Sequence, residues 1–225
     1  MSVQLADSLD LTETHFVRRG MSKQISDLLL DAINTGRLPQ GARINDIELS
    51  KELGVSRTPV REALQWLKFV GLIETSANRY TRVITVTDSM LRNALITWGA
   101  LFASVIDEVA PRLPRTAISA MRKEAKSFTK AVKARDAAQA AAANFEIFRI
   151  PTVHSTNPFL KRGIDSVVHI IRLGALSLPD WIDADRLKAV QTDFIDALES
   201  GDADGARAAL AQAVEMGSQV EVATS

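Results

Sequence analysis

The sequence predicts a mostly α protein in two parts: a small N-terminal helical unit closed by a two-stranded hairpin, then a C-terminal all-α helical bundle. Three observations carry this reading. Apolar residues recur at helical spacing in segment after segment, as in Val60, Leu64 and Leu67 with Ala63 beside them. Two short β-branched runs, Leu72 to Thr75 and Thr81 to Val86, break that period and flank the polar tip Ser76-Ala77-Asn78-Arg79-Tyr80. At Thr87-Asp88 the composition changes, and almost every residue beyond is a helix former.

Composition narrows the class. The 225 residues are enough for one large or two small domains. Hydrophobic residues make up 46%, yet no uninterrupted apolar run reaches the ~18 residues of a membrane span. The start lacks the basic-then-apolar layout of a secretory leader. Without cysteine there is neither disulfide nor thiolate metal site. The expectation is a cytoplasmic protein with no membrane partner. The formal net charge is zero, which argues against non-specific coating of nucleic acid. The charge is unevenly placed, however. Between Ser50 and Val86 stand Lys51, Arg57, Arg61, Lys68, Arg79 and Arg82 against only Glu52, Glu62 and Glu74.

Residues 1–17 are polar and unpatterned and read as a mobile arm, with Arg18-Arg19 either touching phosphate or simply solvated. A first helix begins at Ser22, turns Ile25, Leu28, Leu29, Ala32 and Ile33 inward, and stops at Gly36. Leu38-Pro39-Gln40-Gly41 is a turn leading through Ile44 to Asp46, an N-cap for a second helix over Ile47 to Leu53. Gly54 ends it. The next stretch, GVSRTPVREALQWL from Gly54 to Leu67, opens with capping hydroxyls at Ser56 and Thr58 and a first-turn proline at Pro59. Arg57 and Arg61 sit at that same end. Two arginines and two hydroxyls on one N-terminal turn suit phosphate oxygens and base edges in a DNA major groove. Helix, glycine turn and basic-headed helix is the helix-turn-helix pattern, and the hairpin after it is a wing carrying Arg79, Tyr80 and Arg82. The plainer alternative is an αα-hairpin with a solvated arginine edge.

Beyond Thr87 the periodicity gives about six helices, enough for an independent bundle. Ser89 to Ala110 carries Leu91, Leu95, Trp98, Leu101, Phe102, Val105, Ile106 and Val109 and is closed by Pro111. Arg115 to Ala134 is more polar. Asp136 to about Val153 starts alanine-rich and is kinked or ended by Pro151. Pro158 to Leu176, Asp183 to Glu199 and Asp202 to Val220 follow, with Gly201 as a C-cap. The domain expectation is therefore an arm over 1–17, a winged helix-turn-helix over 18–87 and an independent helical domain over 88–221.

GVSRTPVREAL followed by GLI closely resembles the recognition helix of GntR-type transcription regulators. The likeness extends upstream to Gly36 through Ile44, similar to that family's G-x-L-x-x-G-x-x-L segment, and downstream to Arg82-Val83. The C-terminal half resembles the FCD-type effector domain of the FadR branch, in its six-helix, VanR-like variety. The matching segments are Asn144-Phe145-Glu146-Ile147-Phe148 with Ser155 to Leu160, and Ala197 to Asp202. Many members hold a divalent metal with one Asp and three His. The resemblance puts Asn144, Phe148, Gln191 and Ala213 at those four places, none a ligand for such an ion. No metal and no cofactor are expected. What the resemblance implies instead is either a cavity lined by Trp98, Phe102 and Phe148, with Asn144 and Gln191 as hydrogen bonders, or a core that Phe148 has filled. Asp165 and His169 lie four apart on one face, but two ligands are too few for a metal site.

No phosphate loop, nucleophile elbow, H-E-x-x-H or catalytic cysteine appears, so no enzyme is expected. The resemblance implies a sequence-specific transcriptional regulator, a repressor in the commoner case. It would work as a homodimer on a roughly palindromic double-stranded DNA operator, tuned by a small-molecule effector. Its DNA contacts would be Arg43, Ser56, Arg57, Thr58, Arg61, Arg79 and Arg82, and its effector contacts Trp98, Phe102, Asn144, Phe148 and Gln191. The alternative is an effector-independent, architectural DNA-binding protein with a helical partner-interaction domain.

Overall fold

The computed structural model describes Leu9 and residues 20–76, 80–175 and 183–219. Two compact units divide the chain, Met1–Val86 and Thr87–Ser225. Nearly all of the expected N-terminal arm, the Arg18-Arg19 pair and the wing-tip residues Asn78 and Arg79 lie outside the described residues. Leu9 alone of the arm is described, and it is buried rather than free in solvent.

The first unit contains α1 (Met21–Asn34), α2 (Asp46–Glu52), α3 (Arg57–Phe69), β1 (Ile73–Ser76) and β2 (Tyr80–Val83). α1 packs on α3 and buries Ile25, Ser26, Leu29, Ala32 and Ile33. Ser26 takes a place in this face because its hydroxyl donates to the Ser22 carbonyl at 2.8 Å, while Leu28 is only half-buried. Asp46 is not the cap of α2. Asn45 is, its side-chain oxygen accepting from the Ile47 and Glu48 amides at 2.9 and 3.4 Å, which leaves the Asp46 carboxylate for another use. α3 packs on α1 and α2 and buries Val60, Ala63, Leu64 and Leu67, the expected stripe.

β1 and β2 pair antiparallel, Ile73 opposite Val83 and Ser76 opposite Tyr80. The second strand is shorter than the sequence suggests. Past Val83, the Ile84 amide donates to the Leu72 carbonyl and the Val86 amide to Gln40 Oε1. The turn after α1 also does more than connect. Gly41 donates to the Val83 carbonyl at 3.0 Å, Val83 to Ala42 at 2.9 Å and Ile44 to Thr81 at 2.8 Å, with Arg43 bridged to Arg82. Residues 41–44 thus satisfy the outer edge of β2.

The second unit contains α4 (Asp88–Val109), a 3-10 turn at Ala110–Arg112, α5 (Arg115–Ala134), α6 (Ala137–His154), α7 (Pro158–Ala175), α8 (Ala184–Ser200) and α9 (Ala203–Ser218). Thr87, Asp136, Asp183 and Asp202 each cap a helix by accepting the amide three residues on, from Met90, Gln139, Arg186 and Gly205. Pro151 does not end α6, which continues to His154. One missing amide is a small loss against a buried face that includes Ile147, Phe148 and Thr152. α4 is the central element, packed against α6, α7 and α9. Its approach to α9 requires hydrogen in place of a side chain. A Cβ on Gly99 would stand 2.8 Å from Val214 and one on Gly217 2.9 Å from Leu95. By length and composition α4, with the turn after it, is the one stretch among the described residues apolar enough to cross a membrane. Its apolar side chains, Phe102, Val105, Ile106 and Val109 among them, belong to the bundle core.

The α6–α7 connection is fastened to α4 through Glu108. Its carboxylate accepts from the Ser155 hydroxyl, from the Thr156 amide and hydroxyl at 2.7 and 2.6 Å, and from Arg112 at 2.6 Å. The bonds from Ser155 and Thr156 hold its pKa down at about 2, against the ordinary 4.5. A depressed carboxylate pKa stabilises the fold above the unfolded value, and the contribution is lost as pH falls through the folded one. The unfolding midpoint of Glu108→Gln should therefore lie below that of the unaltered protein at pH 6, and the gap should close between pH 4.5 and about 2, as thermal melts across that range would show. In the first unit, Leu67 is fully buried, and Leu67→Ala should lower unfolding free energy by ~2–5 kcal/mol in urea titrations.

Candidate DNA-binding surface and bundle core

α3 begins at Arg57, so Ser56 is its N-cap residue and Thr58 and Pro59 fall in the first turn. Ser56 makes no side-chain cap bond, contrary to the capping role expected of it, and its hydroxyl is left outward. Ser56, Arg57, Thr58 and Arg61 are all exposed, because the buried stripe lies on the opposite face of the helix. The structure brings these four groups to one helix end.

Their cations differ in what restrains them. Arg57 Nη2 donates to Asp46 Oδ2 at 2.9 Å, across the turn from α3 to α2. Arg82 is paired with Glu74 on the facing strand, and its guanidinium lies 4.7 Å from the Tyr80 ring centre. The Glu74 hydrogen bond raises the Arg82 pKa still further, so its charge is permanent. Arg43 is exposed and enters the surface through its backbone bridge to Arg82. Arg43 and Arg61 form no ion pair with a described residue. The sequence reading missed the carboxylate partners Asp46 and Glu74. Cross-strand register marks the second, Glu74 opposite Arg82. Nothing local marks the first, eleven residues from its partner.

In the bundle, Trp98, Phe102 and Phe148 do meet, joined by Phe194, which the sequence reading overlooked. Trp98 stacks on Phe102 at 5.0 Å, Phe148 meets Trp98 edge-on at 5.3 Å, and Phe194 lies 5.1 Å from Phe148 and 6.0 Å from Phe102. The helical step from Val190 to Phe194, both buried, was the available signal. Asn144 and Gln191 converge, but on each other: Gln191 Nε2 donates to Asn144 Oδ1 at 2.9 Å. Gln191 is fully buried, and its Oε1 has no hydrogen-bond partner. Amide, phenyl, amide and methyl groups at 144, 148, 191 and 213 do not fit a divalent cation, and no chemistry is derived through one. Arg149 is occupied by Glu146 at 2.7 and 2.8 Å, and Arg172 lies over the Phe145 ring at 4.4 Å. The His169 imidazole is held below its ordinary pKa by burial first and Arg172 second, against the opposing pull of Asp165.

A helix-turn-helix with a wing and exposed cations, together with a separate bundle of six helices among the described residues, defines a class: the two-domain, winged helix-turn-helix DNA-binding proteins. Comparison with known proteins agrees. Residues 21–83 match the family described as bacterial regulatory proteins, gntR family, and residues 99–216 match the FCD domain. A Paenarthrobacter nicotinovorans protein named "Probable D-xylose utilization operon transcriptional repressor" is 29% identical over 207 residues, 90% of this chain and 89% of its own. The Nta operon transcriptional regulator of Aminobacter aminovorans is 50% identical over 46 residues, 20% of this chain and 22% of its own. A crystal structure of a GntR regulator from Rhodococcus sp. RHA1 shares the fold at TM-score 0.74 and 21% identity, covering 88% of this chain and 95% of that one. McbR/YncC of E. coli shares it at 0.66 and 22%, covering 86% and 93%. The chain belongs to the gntR family of bacterial regulatory proteins: it is a DNA-binding transcriptional regulator whose second domain is an FCD domain.

The orphaned acceptor on Gln191 gives this core a mutational signature. Gln191→Leu combined with Asn144→Leu removes the unsatisfied oxygen together with both partners of the amide bond, and should leave unfolding free energy unchanged or higher. Gln191→Ala opens a cavity and should lower it by ~2 kcal/mol or more, compared in the same urea titrations.

Proposed function

We propose that the protein is a homodimeric, cytoplasmic repressor of transcription, not an enzyme, acting on a roughly two-fold symmetric operator. The outward group at the head of α3 supports this most directly: Ser56, Arg57, Thr58 and Arg61 share one exposed helix end. Each recognition helix lies in a major groove, with the dimer axis coinciding with that of the operator. Arg57 reads base edges, Arg61 and the Ser56 and Thr58 hydroxyls hold phosphates, and Arg43, Arg79 and Arg82 follow the backbone from the wing. Repression is the activity named for the Paenarthrobacter relative. The sugar operon in that relative's name is not carried over, because the side chains that meet in this core are chiefly aromatic.

The effector side has two readings. In the first, a small, mostly apolar metabolite enters the FCD core against Trp98, Phe102 and Phe148, with Asn144 and Gln191 as its polar contacts. Operator affinity then shifts by the ligand's differential affinity for two arrangements of the dimer. The second reading is an effector-independent, architectural protein whose bundle serves assembly, with which the mutual packing of the four rings and the Asn144–Gln191 bond are compatible. Gel shifts on the protein's own upstream DNA, with and without candidate metabolites, separate them. A metabolite-sensitive complex selects the first, and a complex insensitive to all of them the second. In the same assay Arg57→Ala should lose ~1–3 kcal/mol of operator binding, and an unchanged affinity removes Arg57 from the reading surface.

A further inference from the structure

Asp46 is not needed to cap its helix. Asn45 caps α2, so the Asp46 carboxylate is spare, and it is spent on Arg57. The two side chains stand at the first residues of α2 and α3, the positive ends of both helices, where a carboxylate is held in place. Asp46 is recessed behind its partner: its side chain is 29% exposed and that of Arg57 54%. Pairs this open contribute little stability.

We propose that Asp46 is a specificity-determining positioning residue. It fixes the Arg57 guanidinium for a base edge and denies that cation to the phosphate backbone. This rests on Arg57 being a DNA-contacting residue. One Nη2 hydrogen bond goes to Asp46, and a guanidinium has five N–H groups, so enough donors remain for two parallel bonds to a guanine edge. An arginine without such a tether pairs with the nearest phosphate, which carries no sequence information. The carboxylate also repels backbone phosphates and so weakens binding to every sequence alike. Arg61, one turn along the same face, has no such partner among the described residues and is free to hold phosphate. The two cations are divided in labour by a single acid.

The test uses the full chain, a duplex that it selects from a random-sequence pool and a scrambled duplex of equal composition, both titrated over a salt series. Asp46→Asn should bind the scrambled duplex about three-fold tighter. Its log–log salt slope should steepen by about one. The ratio of selected to scrambled affinity should fall about ten-fold, and Asp46→Glu should recover most of it. In an Arg57→Ala background Asp46→Asn should leave the ratio as it was, a coupling that a purely structural role would not produce. An unchanged ratio in Asp46→Asn, or parallel weakening on both duplexes, overturns the proposal. If Arg57→Ala alone leaves the ratio intact, the DNA role of Arg57 falls, and that of Asp46 with it. An Arg57→Ala loss beside a silent Asp46→Asn sinks only the second.

Discussion

Four side chains on α3, Val60, Ala63, Leu64 and Leu67, are driven under α1 and α2 by the removal of their apolar surface from water. A helix has one buried stripe, so this choice also decides which way everything else on it points. Arg57, Thr58 and Arg61 are outward as a consequence of Leu64 and Leu67 being inward. The exposure of the proposed DNA-facing groups is therefore a by-product of core packing, and a change that rotated α3 in its seat would bury them without touching one of these residues.

Much of this was legible in the sequence because the relevant signals are local. The helical period marked the stripe of α3, and the bounds of α5 are those the sequence suggests, Arg115 to Ala134. Competing local signals were harder to resolve. Asn45 and Asp46 are both good cap residues, and only the backbone conformation decides between them: Asn45 is extended and Asp46 already helical. Pro151 reads as a kink or a terminator by its missing amide, and α6 runs on past it to His154. What could not be read was non-local. The Gly41–Ile44 edge on β2 and the Asp46–Arg57 pair each join residues whose separation carries no period, while the resemblance that grouped Trp98, Phe102 and Phe148 left out Phe194.

The bundle core holds neutral groups where the family resemblance implies metal ligands. An amide pair bridges two helices where the family resemblance puts a metal-binding Asp and His, and phenyl rings fill the space beside it. Two neutral amides exchange one good hydrogen bond, but an amide has both a donor and an acceptor to satisfy, and Gln191 Oε1 is left over. The helices keep their spacing through aromatic contacts instead of through a shared ion.

The hydrogen bonds from residues 41–44 to β2 have a geometric corollary. Ile44 is bonded to Thr81 on the hairpin, and the very next residue, Asn45, caps α2. Hairpin and helix pair are thereby splinted together, with no free joint between them. If both engage a duplex as proposed, that duplex must offer its major-groove step and its flanking backbone at one fixed separation, so the hairpin would act as a ruler on the DNA, and an operator lengthened between those two points would meet only one of them.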